Sequence, residues 1–465
     1  MNTKTKRNFA YQALYQLSLM LLPIVSIPIV SEALGPSGLG TWNYINSIAN
    51  YFILFGGLGL ANYGVKEITI VKENNIKLSQ KFWELQLFNL FFSLGSLTLY
   101  LMVASFTTEK YLFFVQAFAV LSTTFDISWF FAGIEDFKKI SIINILIKVI
   151  SLLGIILFVH KASDVSIYFW IQTLSLLASQ LLLWPFLVKK ISFQKIEFKN
   201  IWVHFKPSLA FFLVKISLTI FTNLNKTILG LFTSSTIVGI FSNSLVLVLM
   251  SGSIINALNV VMLPHMSTLS KQKRNEEMIA VLKRNLDIQF FLTIAIMFGI
   301  IAINNKMIPW FFGDEFSQMK YVVPLVAPTV IFQPIYGSIS HQYLIPKGRI
   351  AVYNTSMLIG AGLLTISGLI LVPIIGIYGA VASNFIGHFY IFYSRMRHLK
   401  KEESIDIEIK KKILSGILML VIVVLSTKYL QATYITTIVQ VMIGIPVYFI
   451  LTSLLKVNPF YKNVT

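Results

Sequence analysis

Runs of about 20 predominantly apolar residues recur along almost the whole chain, too many to be hidden in one soluble core. Each run is long enough to cross ~30 Å of hydrocarbon as a helix. Lipid offers the backbone no hydrogen-bond partners, so only helices or closed barrels span it, and the alternating pattern of a barrel is absent. The expectation is an all-α, polytopic membrane protein. Only 12% of residues are charged, about half the usual share of a soluble domain. The net charge of +19 would point to nucleic acid in a soluble protein, but here the basic residues sit in short loops between apolar runs. That is membrane topology, and no nucleic-acid partner is expected. The chain has no cysteine, which excludes disulfides, thiolate chemistry and Cys-based metal sites. Lys4, Lys6 and Arg7 before the run Phe9 to Val30 imitate a signal peptide. The run is too long and lacks a small-residue cleavage site, so it reads as a retained first helix.

About fourteen spans are expected, near residues 8–31, 41–63, 82–105, 111–132, 140–159, 165–188, 207–232, 237–262, 286–308, 321–344, 352–372, 376–396, 413–429 and 434–455. With the N-terminus inside, most of the 38 lysines and arginines fall on the cytoplasmic side, placing both termini in the cytoplasm of a cell (plasma or inner) membrane. The long basic loops 189–206, 263–285 and 397–412 read as anchors on anionic lipid. A faint internal repeat sets the helix starting near 8 against the one starting near Pro207. It divides the chain as six plus six plus two: an N-terminal lobe 1–200, a C-terminal lobe 201–396, and two added helices with a tail, 397–465.

Two stretches carry a family resemblance. Leu34-Gly35-Pro36-Ser37-Gly38-Leu39-Gly40-Thr41-Trp42, followed by Tyr63-Gly64-Val65-Lys66-Glu67-Ile68, resembles the first two helices of Wzx-type polysaccharide repeat-unit flippases. Asp126-Ile127-Ser128-Trp129-Phe130-Phe131-Ala132-Gly133-Ile134-Glu135 is similar to the end of their fourth helix. These proteins belong to the multidrug/oligosaccharidyl-lipid/polysaccharide exporter superfamily. The resemblance implies two six-helix lobes around a central cavity, with two further helices. It also implies transfer of undecaprenyl-diphosphate-linked oligosaccharide from the cytoplasmic to the outer leaflet, with membrane lipid and polysaccharide-assembly proteins as partners. Lys66 stands where the pattern more often has arginine, which keeps the charge but weakens a bidentate phosphate role.

Intramembrane charge is the main pointer to a site. In helix seven Ser208, Lys215, Thr219, Thr222 and Lys226 share one face, with the two lysines ~16 Å apart along it. A lysine at that depth costs roughly 2.5–3.5 kcal/mol and normally faces protein or water; snorkelling to an interface is the alternative. In helix five Ser141, Asn144, Lys148 and Ser151 share a face, and Asp126 of helix four lies at similar depth. Lys148 is therefore either an ion-pair partner of Asp126 or free to meet substrate. Amides at Gln12 and Gln16, at Asn43, Asn46 and Asn50, and at Asn256 and Asn259 either bond between helices or line a wet cavity. His341 and His388 could titrate near neutral pH, His388 being the better candidate for coupling.

No catalytic triad, metal-ligand cluster or phosphate loop is present in the sequence, so neither an enzyme nor a cofactor or metal site is expected. A membrane polymerase would carry a larger outer loop than 309–320. A drug antiporter for cations fits poorly with three interior lysines against one aspartate. A teichoic acid or lipid II precursor flippase remains an alternative with the same headgroup chemistry.

Overall fold

The computed structural model describes residues 3–188 and 190–461, without the side chains of residues 3–7, 9, 10, 214, 253, 254, 256–258 and 260. As lipid demands, nearly all of it is helical, and no strand occurs among the described residues. The chain forms two compact units, Met1–Thr227 and Ile228–Thr465.

The first unit contains α1 (Thr3–Gly57), α2 (Leu60–Val71), α3 (Asn75–Ser105), α4 (Lys110–Ser122), α5 (Ser128–Gly133), α6 (Phe137–Phe158), α7 (Val165–Leu181), α8 (Trp184–Leu187), α9 (Phe198–Trp202) and α10 (Phe205–Phe232) up to Thr227. The second contains α11 (Ser235–Lys271), α12 (Asn275–Phe311), α13 (Met319–Val326), α14 (Thr329–Ile339), α15 (Ile350–Ile375), α16 (Ile377–Glu402), α17 (Ile409–Ser426) and α18 (Tyr434–Leu454). Here α17 and α18 pack on α12 and on each other.

Ten described helices are long and apolar enough to cross a membrane, or eleven if the pair bent by 50° at 198–213 and 215–232 is one span. The difference from fourteen has readable causes. α1 runs through two of the expected spans, kinked at Gly35 (φ 63) just before Pro36. α17 opens with three lysines in 18 residues, and the uncharged part of α16 is diluted by Ser383, Asn384 and His388 before its basic end, so neither passes on apolarity.

The two stretches that carry the resemblance pack against each other in the first unit. A Cβ on Gly64 would come within 2.9 Å of the Trp129 ring, and one on Gly133 within 2.6 Å of Ile68, so α2 and α5 touch only because both residues are bare. Thr69 donates to the Gly133 carbonyl (3.1 Å), and Lys72 bridges to Glu135 (2.6 Å). Trp129 stacks on Phe82 within an aromatic core that includes Phe88, Phe130 and Phe131. At one end of that core, Tyr63 bonds His204 (2.8 Å), and His204 faces Glu84 (3.4 Å), which is paired with Lys81 (2.7 Å).

In the second unit, buried polar groups knit helices together. Arg395 is 1% exposed. It donates to the hydroxyls of Ser356 (2.9 Å) and Ser340 and to the carbonyls of Tyr336 (3.2 Å) and Tyr353 (3.1 Å), between the rings of those two tyrosines. Lys412 pairs with Asp287, joining α17 to α12. Asn259 donates to the Pro334 carbonyl (2.9 Å) and accepts from Gln289 (2.8 Å) and Gln342 (3.2 Å).

Candidate functional site

Two interrupted helices shape one polar cavity of the first unit. Between α1 and α2 the chain turns through Leu58 (φ 34) and Gly59 (φ 78). A Cβ at Gly59 would lie 2.6 Å from the Ser208 carbonyl and 2.7 Å from the Phe212 nitrogen, so only glycine permits α10 to press this close. The break frees the Leu58 carbonyl, and the buried Ser208 hydroxyl donates to it.

The second interruption lies between α4 and α5, where one 3-10 turn (Thr123–Phe125) leads into extended backbone at Asp126. Its loose carbonyls are met by side chains. Asn89 donates to Thr123 (2.8 Å), Gln86 to Thr124 (2.9 Å), Trp184 to Phe125 (2.9 Å) and Trp129 to Asp126 (2.8 Å). Non-helical backbone survives at membrane depth only when protein satisfies it or when it lines a cavity, and here both hold.

The cavity measures about 550 Å³ and is lined by Asn46 and Asn50 of α1, Gly57 and Gly59 at the first break, Thr123 and Asp126 at the second, Asn89, Gln180, and the α10 face Lys215, Thr219, Thr222, Asn223 and Lys226. Asn50 donates to Asn223 (3.2 Å), Gln116 to Asn46 (3.0 Å), and the Lys226 ammonium reaches Asn43 (3.5 Å). The Gln180 carbonyl oxygen is buried without a hydrogen-bond partner among the described residues. Among the described residues neither lysine is ion-paired, nor is Asp126. Two ammonium groups against one carboxylate leave the cavity positive, and low-dielectric walls concentrate that field.

The structure thus gathers Lys215, Lys226, Thr219, Thr222, Asn46, Asn50 and Asp126 at one cavity, with Asn43 behind Lys226. Lys148 is not among them. It lines a separate hollow of about 190 Å³ between α1, α6 and α7, with Asn144, Ser151, Gln172 and Ser179. No Asp126–Lys148 ion pair forms, because helix four unwinds at Asp126, whose carboxylate accepts instead from the Ser128 amide (2.9 Å). Matched depth on paper assumed two intact helices.

Gln16 is exposed on α1 and lines neither hollow. His388 lies in the second unit, 6% exposed, stacked on Tyr336 and bonded to its hydroxyl (3.2 Å). Asn259 serves interhelical bonding rather than a wet wall; the Asn256 side chain lies outside the described residues. Sequence reasoning missed Asn89, Gln180 and Asn223. Gln86 and Asn89, three apart on one face of an apolar helix, were the available signal for carbonyls left open by a broken neighbour.

The second unit holds a different hollow, of about 400 Å³, between α12, α17 and α18. Its walls are almost wholly apolar, among them Phe291, Ile296, Ile300, Val423, Ile445 and Phe449.

A family model described as "Polysaccharide biosynthesis protein" matches residues 5–270. A protein of Escherichia coli (strain K12) that carries the name of an O-antigen transporter is 26% identical over 175 residues, 36% of this chain and 41% of that relative. Among solved structures, the lipid II flippase MurJ in an inward closed conformation matches with a TM-score of 0.78 at 17% identity, over 97% of this chain and 99% of that one. An inward-facing multidrug resistance MATE family transporter of the MOP superfamily matches with a TM-score of 0.59 at 13% identity, over 84% and 100%. At such identities, the two structures show a common fold.

Proposed function

The chain belongs to the polysaccharide biosynthesis protein family, and from that premise we propose that it moves undecaprenyl-diphosphate-linked oligosaccharide units from the inner to the outer leaflet for cell-surface polysaccharide assembly. The single observation that carries this reading is the first-unit cavity, where among the described residues Lys215 and Lys226 have no carboxylate partner and stand beside amides and hydroxyls. A diphosphate needs cations; sugars need neutral donors and acceptors. Both are far too polar to cross ~30 Å of hydrocarbon unaided, each unsatisfied polar group costing several kcal/mol.

In this reading Lys215 and Lys226 neutralise the diphosphate, Thr219, Thr222, Asn46, Asn50 and Asn223 solvate the glycan, and Asn43 orients Lys226. Asp126 tempers the field so that product can leave. The prenyl chain stays in the surrounding lipid. Both termini face the cytoplasm, as the loop charges require.

A lipid II precursor is a second reading, favoured by the TM-score of 0.78 to a lipid II flippase. The two share the diphosphate and differ in the sugar. Vesicles containing the purified chain and labelled polyprenyl-diphosphate carriers separate them. The expected result is rapid outer-leaflet exposure of an oligosaccharide carrier and slow exposure of lipid II. Faster lipid II exposure would select the second reading, and export of a cationic dye with no lipid movement would defeat both.

A further inference from the structure

The cytoplasmic end assigned to α16 carries chemistry that transport through the first unit leaves unused. Phe389, Tyr393, Arg397 and Lys401 recur at four-residue steps, which stacks them on one helix face over about 18 Å. Phe389 is 42% and Tyr393 51% exposed, and their rings lie 6.2 Å apart, nearly parallel. Arg397 and Lys401 continue the same exposed stripe. Two aromatics followed by two cations is the order met by a helix that leaves hydrocarbon, crosses the interface and enters the headgroup layer.

Beside that stripe lies a hollow of about 320 Å³ lined by Tyr390, Tyr393, Ser394, Arg397, His398 and Lys401. The nearby carboxylates leave the two cations unpaired, and only the His398 imidazole is shared with one of them. Glu402 faces Arg349 (3.0 Å) and His398 (3.5 Å) and accepts from Tyr343 (2.5 Å), while Glu403 pairs with Lys347 (2.7 Å). Among the described residues Arg397 and Lys401 form no ion pair. One guanidinium, one ammonium, an imidazole and three hydroxyls around a single hollow are the donor set of a phosphodiester, which the planar guanidinium grips through two oxygens. The aromatic stripe beneath gives acyl chains a surface to lie on.

We propose that this hollow binds the phosphate headgroup of an anionic phospholipid from the leaflet on the side of the basic loops. All its residues belong to the second unit, so it stands or falls apart from the substrate reading of the first. It differs from diffuse attraction to a charged surface, because two particular cations do what equal charge nearby does not.

The test compares full-length protein in neutral detergent, titrated with phosphatidylglycerol or phosphatidylcholine and followed by native mass spectrometry. The wild type should hold one phosphatidylglycerol more tightly than any phosphatidylcholine. The double variant Arg397→Ala/Lys401→Ala should weaken that binding on the order of thirtyfold, at about a factor of five for each cation. The charge-matched control Lys410→Ala/Lys411→Ala, on exposed residues of the next helix, should leave it unchanged. Both pairs are exposed, so melting curves should coincide and exclude misfolding. Equal weakening in both doubles would overturn the site in favour of general surface charge; no weakening in either would overturn it outright. Displacement of the bound phospholipid by an equimolar polyprenyl diphosphate would reassign the hollow to the transported lipid.

Discussion

Arg395 in the second unit and Lys215 in the first are both cations on helices of an apolar chain, yet their surroundings are opposite. Arg395 has hydroxyls, carbonyls and two tyrosine rings as partners. Lys215 lines a cavity of about 550 Å³ and has no ion-pair partner among the described residues. The contrast extends to the neighbours of each. In the second unit Lys412–Asp287 and Asn259 join helices, whereas the first lines its cavity with the Lys215 ammonium and a Gln180 oxygen that is buried without a hydrogen-bond partner among the described residues. A satisfied buried cation fixes helices; an unsatisfied one is available to a ligand.

Removing the Arg395 side chain gives the largest expected effect on stability. Arg395→Ala strands several buried acceptors and opens a void, so it should destabilise the protein in detergent by about 3–5 kcal/mol, read from denaturant unfolding. A loss below about 1 kcal/mol would break the contrast. Asn259→Ala should cost about 1–3 kcal/mol by the same measurement, because Gln289, Gln342 and the Pro334 carbonyl lose a shared partner. In the first unit the same kind of change should behave differently. Asp126→Asn and Lys148→Met line separate hollows, so a double-mutant cycle on thermal unfolding should be additive within about 0.5 kcal/mol. Recovery in the double variant would reinstate the ion pair.

The smallest effect concerns pH. The Tyr343 hydroxyl, and then Arg349, His398 and Lys347, hold the Glu402 carboxyl below its ordinary range. A depressed carboxyl contributes stability that is present above its unfolded value of about 4.3 and lost as pH falls through the lower folded value. Wild type should therefore lose slightly more stability than Glu402→Gln on acidification below about pH 5. Parallel pH curves for the two would show that this cluster is too solvated to matter.

Much of this was legible in the residues. Lipid leaves the backbone few choices, so helical class and the α10 stripe Lys215, Thr219, Thr222 and Lys226 follow from periodicity alone. The breaks at Leu58–Gly59 and at Asp126 were not legible, because each depends on partners distant in sequence: Ser208 for the first, Asn89 and Gln86 for the second. The misplacement of Lys148 followed from that, since helical arithmetic carries no information once a helix has unwound. Arg395 escaped notice for the opposite reason. It sits at the end of a span, where a basic residue ordinarily snorkels, and only tertiary packing shows that it is enclosed.

The central claim is that the first-unit cavity neutralises an anionic headgroup through Lys215. Vesicles or cells carrying Lys215→Ala, with membrane protein level and melting temperature matched to wild type, should show delivery of labelled lipid-linked oligosaccharide to the outer leaflet reduced at least tenfold, with Lys215→Arg partly restoring it. Delivery by Lys215→Ala at the original rate would contradict the claim and leave this lysine a packing or snorkelling feature.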